Sequence, residues 1–404
     1  MSQTTDMSQL ETTQQLYDQY VMTTYGRAGV VFERGEGAYL WDSGGRCFLD
    51  FLAGIAVNGL GHCHPKVVKA IQDQAAKLIH ISNLYLVKQQ GELASILCRQ
   101  AGMEKAFFCN SGTEANEAAL KIARKHGKSV SPTKTGLVAA EGSFHGRSMG
   151  ALSVTAQPKY QAPFEPLIPG VSLAAWNDPS ALRAVVGPDT CAIILEPIQG
   201  EMGVRPASQE FIETARHLAN KFEAFLIFDE IQTGNGRTGN YFAWQSYGIM
   251  PDILTTAKAM GGGIPIGACM AHGVAAAVFQ PGDHGTTYGG GPLACATAIA
   301  ALSALDEENL LNNTIDMGFA FESGLNSLCA KFQHAEVRGS GLMLGMELNR
   351  PIAKDILKAA YDEGLLINAV GDNVLRFLPP LIIKQAQVDE ALAKLEAAFR
   401  KVEG

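Results

Sequence analysis

Two residues of this 404-residue chain, Lys258 and Asp229, occupy positions where a side chain can do chemistry. Lys258 follows an apolar, threonine-rich run (252–257) and precedes the glycines 261–263. An amine held there can form a Schiff base instead of remaining a solvated charge. Asp229 ends the continuous apolar run 225–228, which predicts a buried parallel strand with a carboxylate at its C-terminal edge.

A lysine and an aspartate placed in this way indicate the cofactor pyridoxal 5′-phosphate. A carboxylate beside the ring nitrogen keeps the ring protonated and electron-withdrawing, while the lysine holds the aldehyde and later moves a proton. Neither residue is diagnostic alone, because most lysines are solvated and an aspartate at a strand end is more often a helix cap or a metal ligand. Taken together, they predict Lys258 and Asp229 as the catalytic residues.

The chain is acidic, with 32 lysine and arginine residues against 40 aspartate and glutamate residues. Binding to nucleic acid needs a basic face, so the net charge of −8 argues against nucleic acid as the main partner. With 47% apolar and 18% charged residues, the composition is that of a globular protein with a sizeable core. We therefore expect small molecules as partners.

Cysteine usage and hydropathy predict a cytoplasmic protein. The eight cysteines form no C-x-x-C pair and several lie in apolar runs, which is typical of reduced core residues. Residues 1–20 are polar and look like neither a secretion signal nor a transit peptide. The longest small-apolar stretch, 293–305, is shorter than the ~18 residues of a membrane span and predicts a buried helix. The run 62–64 (His-Cys-His) matches no usual zinc spacing, so we expect no metal.

From residue 106 onward, short apolar runs alternate with helical patterns, which predicts an α/β fold with a mostly parallel sheet. The predicted strands are 106–109, 137–140, 191–196, 225–229, 253–256 and 266–271, and the predicted helices among them include 113–126 and 209–223. The C-terminal part predicts a smaller α+β domain, with strands 342–348 and 374–378 and helices 352–363 and 386–402. Near the N-terminus, residues 38–41 and 47–51 flank a turn-forming sequence and predict a β-hairpin.

Two loops offer groups that could bind anions. The run 110–116 lies between a predicted strand and helix, and the N-terminus of that helix, with Gly112 allowing close approach, could bind phosphate. In isolation, this segment slightly favours an ordinary Ser/Thr helix cap, and only the lysine and aspartate reverse that preference toward phosphate. A second loop, 285–292, precedes an apolar helix, and its hydroxyls predict Thr287 as a phosphate contact.

Four further side chains could contact a ring or a substrate. Phe144 could lie against a cofactor ring and Arg147 could grip a carboxylate, although a core phenylalanine and a surface arginine explain the same loop. Glu201 could pair with an arginine or remain a solvated loop carboxylate. Arg376 lies between apolar residues in a predicted strand, so it needs a partner if it is buried, or else faces water.

In this order along the chain, the motifs resemble the class III, fold-type I pyridoxal-phosphate aminotransferases. The resemblance runs from about Tyr20 to the last helix. The matching runs are 58–65, 80–83, 110–117, 144–147, 196–201, 228–230, 256–259 and 287–290. Within the family, the runs 49–58 and 80–83 look most like the group that acts on acetylornithine.

The resemblance implies roles at the cofactor ring. By matching position, Lys258 would bind the aldehyde covalently and Asp229 would pair with the ring nitrogen. Gln232 would contact the phenolic oxygen, and Phe144 would stack on the ring.

The resemblance also implies a phosphate site shared between two subunits. Gly112 and Thr113 would hold the phosphate, and Thr287 of the partner subunit would complete the site. A homodimer with its active site at the interface is therefore expected.

For the substrates, the resemblance implies two arginine sites. Arg147 would bind the carboxylate of an acyl-ornithine, with Thr286 as a neighbouring contact. Arg376 would bind the α-carboxylate of glutamate or 2-oxoglutarate, and Glu201 would mask it in the other half-reaction. Met202 stands where the family commonly has glycine, which puts the mobility of the Glu201 loop in doubt.

The reaction implied is transfer of the δ-amino group of an acylated ornithine to 2-oxoglutarate in arginine biosynthesis. Succinylornithine, free ornithine, 4-aminobutyrate and succinyldiaminopimelate are donors of similar enzymes. The expected domains are an N-terminal segment (1–25), a discontinuous small domain (26–75 and 310–404) and a large cofactor-binding domain (76–309).

Three other interpretations remain open. An aminomutase would use the same cofactor without an external acceptor. A dinucleotide-dependent oxidoreductase would need a G-x-G-x-x-G turn, which the first strand–helix turn lacks, and it would leave Lys258 without a role. A protein that only binds partners would have lost a catalytic group, and none is visibly missing.

Overall fold

The computed structural model of the protein describes residues 3–404. The strands are β1 (Phe32–Glu36), β2 (Tyr39–Asp42), β3 (Cys47–Asp50), β4 (Lys105–Cys109), β5 (Gly136–Ala140), β6 (Val171–Ala174), β7 (Thr190–Leu195), β8 (Ile198–Gln199), β9 (Arg205–Pro206), β10 (Phe225–Asp229), β11 (Ile253–Thr256), β12 (Gly267–Ala271), β13 (Glu336–Ser340), β14 (Met343–Glu347), β15 (Leu365–Leu366), β16 (Asn368–Val370) and β17 (Val374–Phe377). The helices are α1 (Gln3–Tyr20), α2 (Ala53–Ala56), α3 (Pro65–Ala75), α4 (Lys88–Ala101), α5 (Gly112–Val130), α6 (Met149–Val154), α7 (Pro158–Gln161), α8 (Pro179–Val185), α9 (Gln209–Lys221), α10 (Trp244–Tyr247), α11 (Pro292–Glu307), α12 (Leu310–Phe332), α13 (Ala353–Asp362) and α14 (Gln385–Glu403). Short 3₁₀ turns are Ala162–Phe164, Gly200–Met202, Lys258–Gly261 and Gly273–Ala277.

The central sheet has the strand order β4-β12-β11-β10-β7-β5-β6. All its strands are parallel except β12, which is antiparallel to both neighbours. The connection between β11 and β12, residues 257–266, is too short for a parallel crossover, which takes a dozen or more residues. The predicted α/β fold with a mostly parallel sheet is therefore confirmed, and the one reversed strand follows the loop that carries Lys258.

Both faces of this sheet are covered, which explains its continuous apolar strands. Ile194 and Ile227 pack on one face against α5. Ile193 and Leu226 pack on the other face against α8 and α9. Neighbouring residues of one strand thus enter opposite cores, and every position of β7 and β10 is buried.

The apolar stretch 293–305 forms most of α11, as predicted. This helix packs against α3 and α4, and its buried residues include Cys295, Ala298 and Leu302. Within residues 3–404, no helix combines the length and the apolar character that crossing a membrane requires.

The C-terminal part forms an antiparallel sheet of order β13-β14-β17-β16, with helices α12, α13 and α14. The predicted N-terminal hairpin is present as β2 and β3. β3 also pairs in parallel with β15, so the N-terminal strands join the C-terminal part, while α3 packs against α11. The domain limits themselves stay a prediction.

The turn α2 has an unusual backbone: Ala53, Gly54, Ile55 and Ala56 all have φ between 50° and 64°. A left-handed conformation costs roughly 1–2 kcal/mol for each residue with a side chain. The Asp50 carboxylate stabilises the turn, because it accepts hydrogen bonds from the backbone N–H groups of Leu52 and Ala53. The turn leads directly into the wall of the cavity described next.

Candidate active site

A cavity of about 430 Å³ lies where the carboxyl ends of the central strands meet. This is the edge at which parallel α/β sheets bind ligands, and the volume is in the range of small-molecule sites, ~300–1,000 Å³. Most of the predicted site residues line it. They are Gly112, Thr113, Phe144, Arg147, Asp229, Gln232 and Lys258.

Lys258 begins a 3₁₀ turn immediately after β11, with φ +47°. Its side chain is half-buried, and desolvation of the ammonium group together with the positive charge of Arg376 lowers the pKa of Lys258 to about 8. An amine whose charged form is disfavoured loses its proton more readily and becomes a nucleophile. The structure therefore gives Lys258 the property that Schiff-base chemistry requires.

Asp229 ends β10 and is held by three hydrogen-bond donors. Its Oδ2 accepts from Asn116 Nδ2 at 2.8 Å and from His145 Nδ1 at 2.7 Å. Its Oδ1 accepts from the backbone N–H of Ile231 at 3.1 Å. The Asn116 amide is oriented in turn by Thr255, whose hydroxyl donates to Asn116 Oδ1 at 2.8 Å. The carboxylate is thus fixed at the cavity wall.

Asn116 and His145 have no role predicted from the sequence, although both lie in runs that match the family. A usable signal was available, because a buried carboxylate needs hydrogen-bond donors and both residues are polar members of site motifs. Which of them reaches Asp229 depends on contacts across 113 and 84 residues of chain. Local sequence does not determine such contacts.

The N-terminus of α5 forms another part of the cavity wall. Ser111 caps the helix by accepting from the N–H of Glu114 at 3.3 Å, so the ordinary cap is present, and the phosphate site stays a prediction. Thr113 Oγ1 lies 2.6 Å from Ser148 Oγ. A Cβ at Gly112 would lie 2.6 Å from Ile231 Cδ1, so only glycine allows this close packing.

Phe144 and Arg147 follow β5, and Phe144 is half-buried at the cavity. The guanidinium carbon of Arg147 lies 3.7 Å from the ring centroid of Tyr160 and 5.6 Å from that of Phe144. Arg147 is exposed and has no ion pair with any residue that the structure describes. It is free to bind an anion at the mouth of the cavity.

Glu196, which follows β7, is a cavity residue without a predicted role. Its Oε2 accepts from the N–H of Phe144 at 3.0 Å. Burial, and then the nearby charge of Asp229, raise the pKa of Glu196 well above its ordinary value. This carboxyl group therefore keeps its proton to a higher pH than a solvated glutamate does.

Arg376 is buried in β17 and forms an ion pair with Glu201, with 2.6 Å between Nη1 and Oε1. The arginine also donates to Asn368 Oδ1 at 2.9 Å and to the carbonyl of Gly200 at 3.1 Å. Burial opposes ionisation of Glu201, but the charge and hydrogen bond of Arg376 outweigh it and lower the pKa of Glu201. Neither residue lines the main cavity, although both charges act on Lys258.

Thr286 and Thr287 do not line the main cavity of the same chain, although Thr286 Oγ1 accepts a hydrogen bond from Nδ2 of the cavity residue Asn110 at 3.4 Å. Thr286 lines a separate cavity of about 340 Å³, together with Asn83 and His284. Thr287 is exposed. The structure of one chain therefore does not bring these two threonines to Lys258.

Comparison with known proteins identifies the family. Residues 20–399 match the family described as aminotransferase class-III. The chain belongs to the class-III aminotransferases. This aminotransferase is 48% identical to the acetylornithine aminotransferase of Gloeobacter violaceus over 97% of this chain and 98% of that one. The corresponding enzyme of Methanosarcina mazei is 47% identical over 94% of each chain.

Solved structures show the same fold. The ornithine aminotransferase of Toxoplasma gondii superposes with a TM-score of 0.93 at 33% identity, covering 98% of this chain and 96% of that one. N-acetylornithine aminotransferase of Stenotrophomonas maltophilia gives a TM-score of 0.84 at 38% identity, covering 96% and 99%. The fold-type I assignment is confirmed.

The residues of this aminotransferase fit pyridoxal phosphate, on which the family depends. One amine of lowered pKa, Lys258, and one fixed carboxylate, Asp229, line the same cavity. Gln232 Oε1 is buried there without a hydrogen-bond partner in the described part of the chain, so a polar ligand group would satisfy the Gln232 amide. The first turn of α5 adds N–H groups and about half a positive charge for a phosphate.

Proposed function

We propose that this aminotransferase transfers the δ-amino group of N2-acetyl-L-ornithine to 2-oxoglutarate, giving N-acetyl-L-glutamate 5-semialdehyde and L-glutamate in arginine biosynthesis. The observation that carries amino transfer is the shared cavity of Lys258 and Asp229. The donor is inferred from relatives named acetylornithine aminotransferase, such as those of Gloeobacter violaceus and Methanosarcina mazei.

Each cavity residue has a distinct task in this proposal. Pyridoxal phosphate, when bound, supplies a carbonyl that exchanges amines and a ring that accepts electrons. Lys258 would hold that carbonyl, and its amine would carry a proton from the δ-carbon of the donor. Asp229 would keep the ring nitrogen protonated, Gln232 would contact the phenolic oxygen and Phe144 would pack on the ring. Gly112, Thr113 and the other residues of the first turn of α5 would bind the phosphate.

Two arginines serve the two substrates. Arg147, exposed at the cavity mouth, binds the carboxylate of the acyl-ornithine. Arg376 binds the α-carboxylate of glutamate or 2-oxoglutarate after Glu201 leaves it. While Glu201 is paired with Arg376, with 2.6 Å between Oε1 and Nη1, Arg376 is not available to an α-carboxylate. The donor then binds through its δ-amino group.

The working unit in this proposal is a cytoplasmic homodimer with small-molecule partners and neither nucleic acid nor membrane. Thr287, exposed in one chain, would complete the phosphate site of the partner subunit, with Thr286 beside it. Leu84, Tyr85 and Leu86 are exposed by 85%, 64% and 102%, and an apolar group of this kind favours an interface. The same proposal divides the chain into an N-terminal segment (1–25), a small domain (26–75 and 310–404) and a large domain (76–309).

Free ornithine is the second candidate donor, because the ornithine aminotransferase of Toxoplasma gondii has the same fold at a TM-score of 0.93. Succinylornithine and succinyldiaminopimelate, the latter in lysine biosynthesis, are further alternatives.

Steady-state kinetics on the purified holoenzyme, with 2-oxoglutarate as acceptor, separates these donors. Acetylornithine should give the highest kcat/KM, and Arg147→Ala should raise its KM about tenfold or more by removing a charged hydrogen bond. Labelled 2-oxoglutarate should become labelled glutamate, which excludes an aminomutase. A kcat/KM for free ornithine or 4-aminobutyrate that exceeds the acetylornithine value by orders of magnitude would contradict the substrate but leave amino transfer intact.

A further inference from the structure

Met202, next to Glu201, packs directly on the backbone of Gly142. A Cβ added to Gly142 would lie 2.6 Å from Met202 Cγ, 3.0 Å from Sδ and 3.1 Å from Cε. Gly142 has φ +76° and opens the loop of Phe144 and Arg147. The methionine side chain therefore connects the Glu201 turn to the loop that holds the other substrate arginine.

The turn that carries Glu201 is fixed at its other points as well. Arg376 donates to the carbonyl of Gly200 at 3.1 Å, and Arg338 Nε donates to the carbonyl of Gly203 at 2.9 Å. Gly200 is so close to Gln232 that a Cβ would lie 2.1 Å from the amide oxygen. The backbone of this short turn is therefore tethered on both sides. A rotation that breaks the hydrogen bond from Arg376 to the Gly200 carbonyl would move the neighbouring residues Glu201 and Met202 together.

We infer that Met202 is a positioning residue that holds Glu201 over Arg376 and so disfavours the dicarboxylate substrate. Moving Glu201 off Arg376 by rotating this turn would also lift Met202 off Gly142, and the lost apolar contact adds to the free energy of opening. The inference deepens the proposed function and rests on its assignment of Arg376 as the α-carboxylate site. Met202 would therefore affect specificity, because Glu201 must leave Arg376 for glutamate and 2-oxoglutarate to bind but not for the acylated donor to bind.

The consequence is a specific pattern of affinities. Removing the Met202 side chain makes opening easier, so dicarboxylates bind more tightly. The donor amine, which does not use the open state, keeps its KM. A general loss of folding would weaken both.

A double-mutant cycle on the holoenzyme tests this inference. The variants are Met202→Gly, Met202→Leu, Glu201→Ala and the double variant Glu201→Ala/Met202→Gly. The probe is glutarate, an unreactive dicarboxylate, whose Kd is measured by calorimetry alongside the acetylornithine and 2-oxoglutarate KM values. Thermal melting of each variant checks that it is folded.

The expected result is a several-fold lower glutarate Kd and 2-oxoglutarate KM in Met202→Gly, with an unchanged acetylornithine KM. Met202→Leu, which conserves volume, should behave as the parent, and Met202→Gly should have no further effect once Glu201 is alanine. If Glu201→Ala tightens glutarate but Met202→Gly does not, or does so equally in both backgrounds, Met202 does not act through Glu201. If Glu201→Ala itself leaves the glutarate Kd unchanged, the proposed Arg376 site fails as well.

Discussion

His145 Nδ1 lies 2.7 Å from Asp229 Oδ2, so a buried imidazole donates to a carboxylate that lines the main cavity. With Asn116 Nδ2 at 2.8 Å from the same oxygen, the orientation of Asp229 depends on two side chains from separate loops. Orienting contacts of this kind are expected to influence catalysis without touching the substrate.

Asp229→Asn should lower kcat about 10³-fold, because a neutral amide cannot keep the cofactor ring protonated. His145→Gln should lower kcat less, by about tenfold, because one of the three donors to Asp229 is disturbed. The ratio of the two effects is read from kcat for the acetylornithine reaction at saturation. Equal losses would show that His145 has a role of its own, and His126→Gln, outside the cavity, is the matched control.

Arg376→Lys should weaken apparent binding of the acceptor, 2-oxoglutarate, by about a hundredfold while changing the KM of acetylornithine little. An ammonium group cannot reproduce the planar fork with which arginine binds a carboxylate. The KM values of acceptor and donor, measured on the same preparation, check this split. An equal rise in both would mean that Arg376 has a structural role only.

Glu196→Gln should stabilise the protein increasingly as the pH rises. The raised pKa of Glu196 means that the folded state holds a proton that the unfolded state has released above the ordinary glutamate pKa. The contribution of Glu196 to stability is therefore lost as the pH rises toward the pKa of this group in the folded state. The free energy of unfolding falls by at most about 1.4 kcal/mol per pH unit. Glutamine, which stays neutral, removes the slope.

Urea unfolding of Glu196→Gln and of the parent at pH 5, 6.5 and 8 measures that slope. The difference in free energy of unfolding, variant minus parent, should increase with pH. A constant difference would show that Glu196 is ionised in the folded state throughout.

The fold was predictable from the sequence for strands that are buried on both faces of the sheet. β10 (Phe225–Asp229) and β11 (Ile253–Thr256) were predicted to the residue, because their apolar runs are continuous. The edge strand β6 was missed, since it is partly exposed and resembles a loop. The helix α12 (Leu310–Phe332) was missed as well.

The site was predictable one residue at a time but not as a set of contacts. Asp229 ends one recognisable strand and Lys258 follows another, so the sequence predicted both at one sheet edge. Arg376 lies between apolar neighbours, and only the structure shows that it is buried and that its partner is Glu201, 175 residues away. The contacts of Thr287 stay a prediction, because this residue is exposed in the single chain.

Ile55→Gly should raise the thermal stability of the protein. Ile55 has φ +61° and is 38% exposed, so glycine relieves a left-handed β-branched residue, ~1–2 kcal/mol, at little loss of burial. Ile315→Gly, the same change at a 51% exposed position inside α12, should destabilise by about 1 kcal/mol instead. Calorimetry measures the change in melting temperature of each variant relative to the parent protein. A lower melting temperature in both variants would show that the α2 turn is not strained.

Borohydride reduction of the protein after incubation with pyridoxal phosphate tests the central claim most directly, with the modified lysine located by mass spectrometry of tryptic peptides. We predict one pyridoxyl group per chain, on Lys258, and none in Lys258→Ala. A label on another lysine such as the buried Lys134, or no stable label at all, would contradict the assignment of Lys258 as the residue that binds the cofactor.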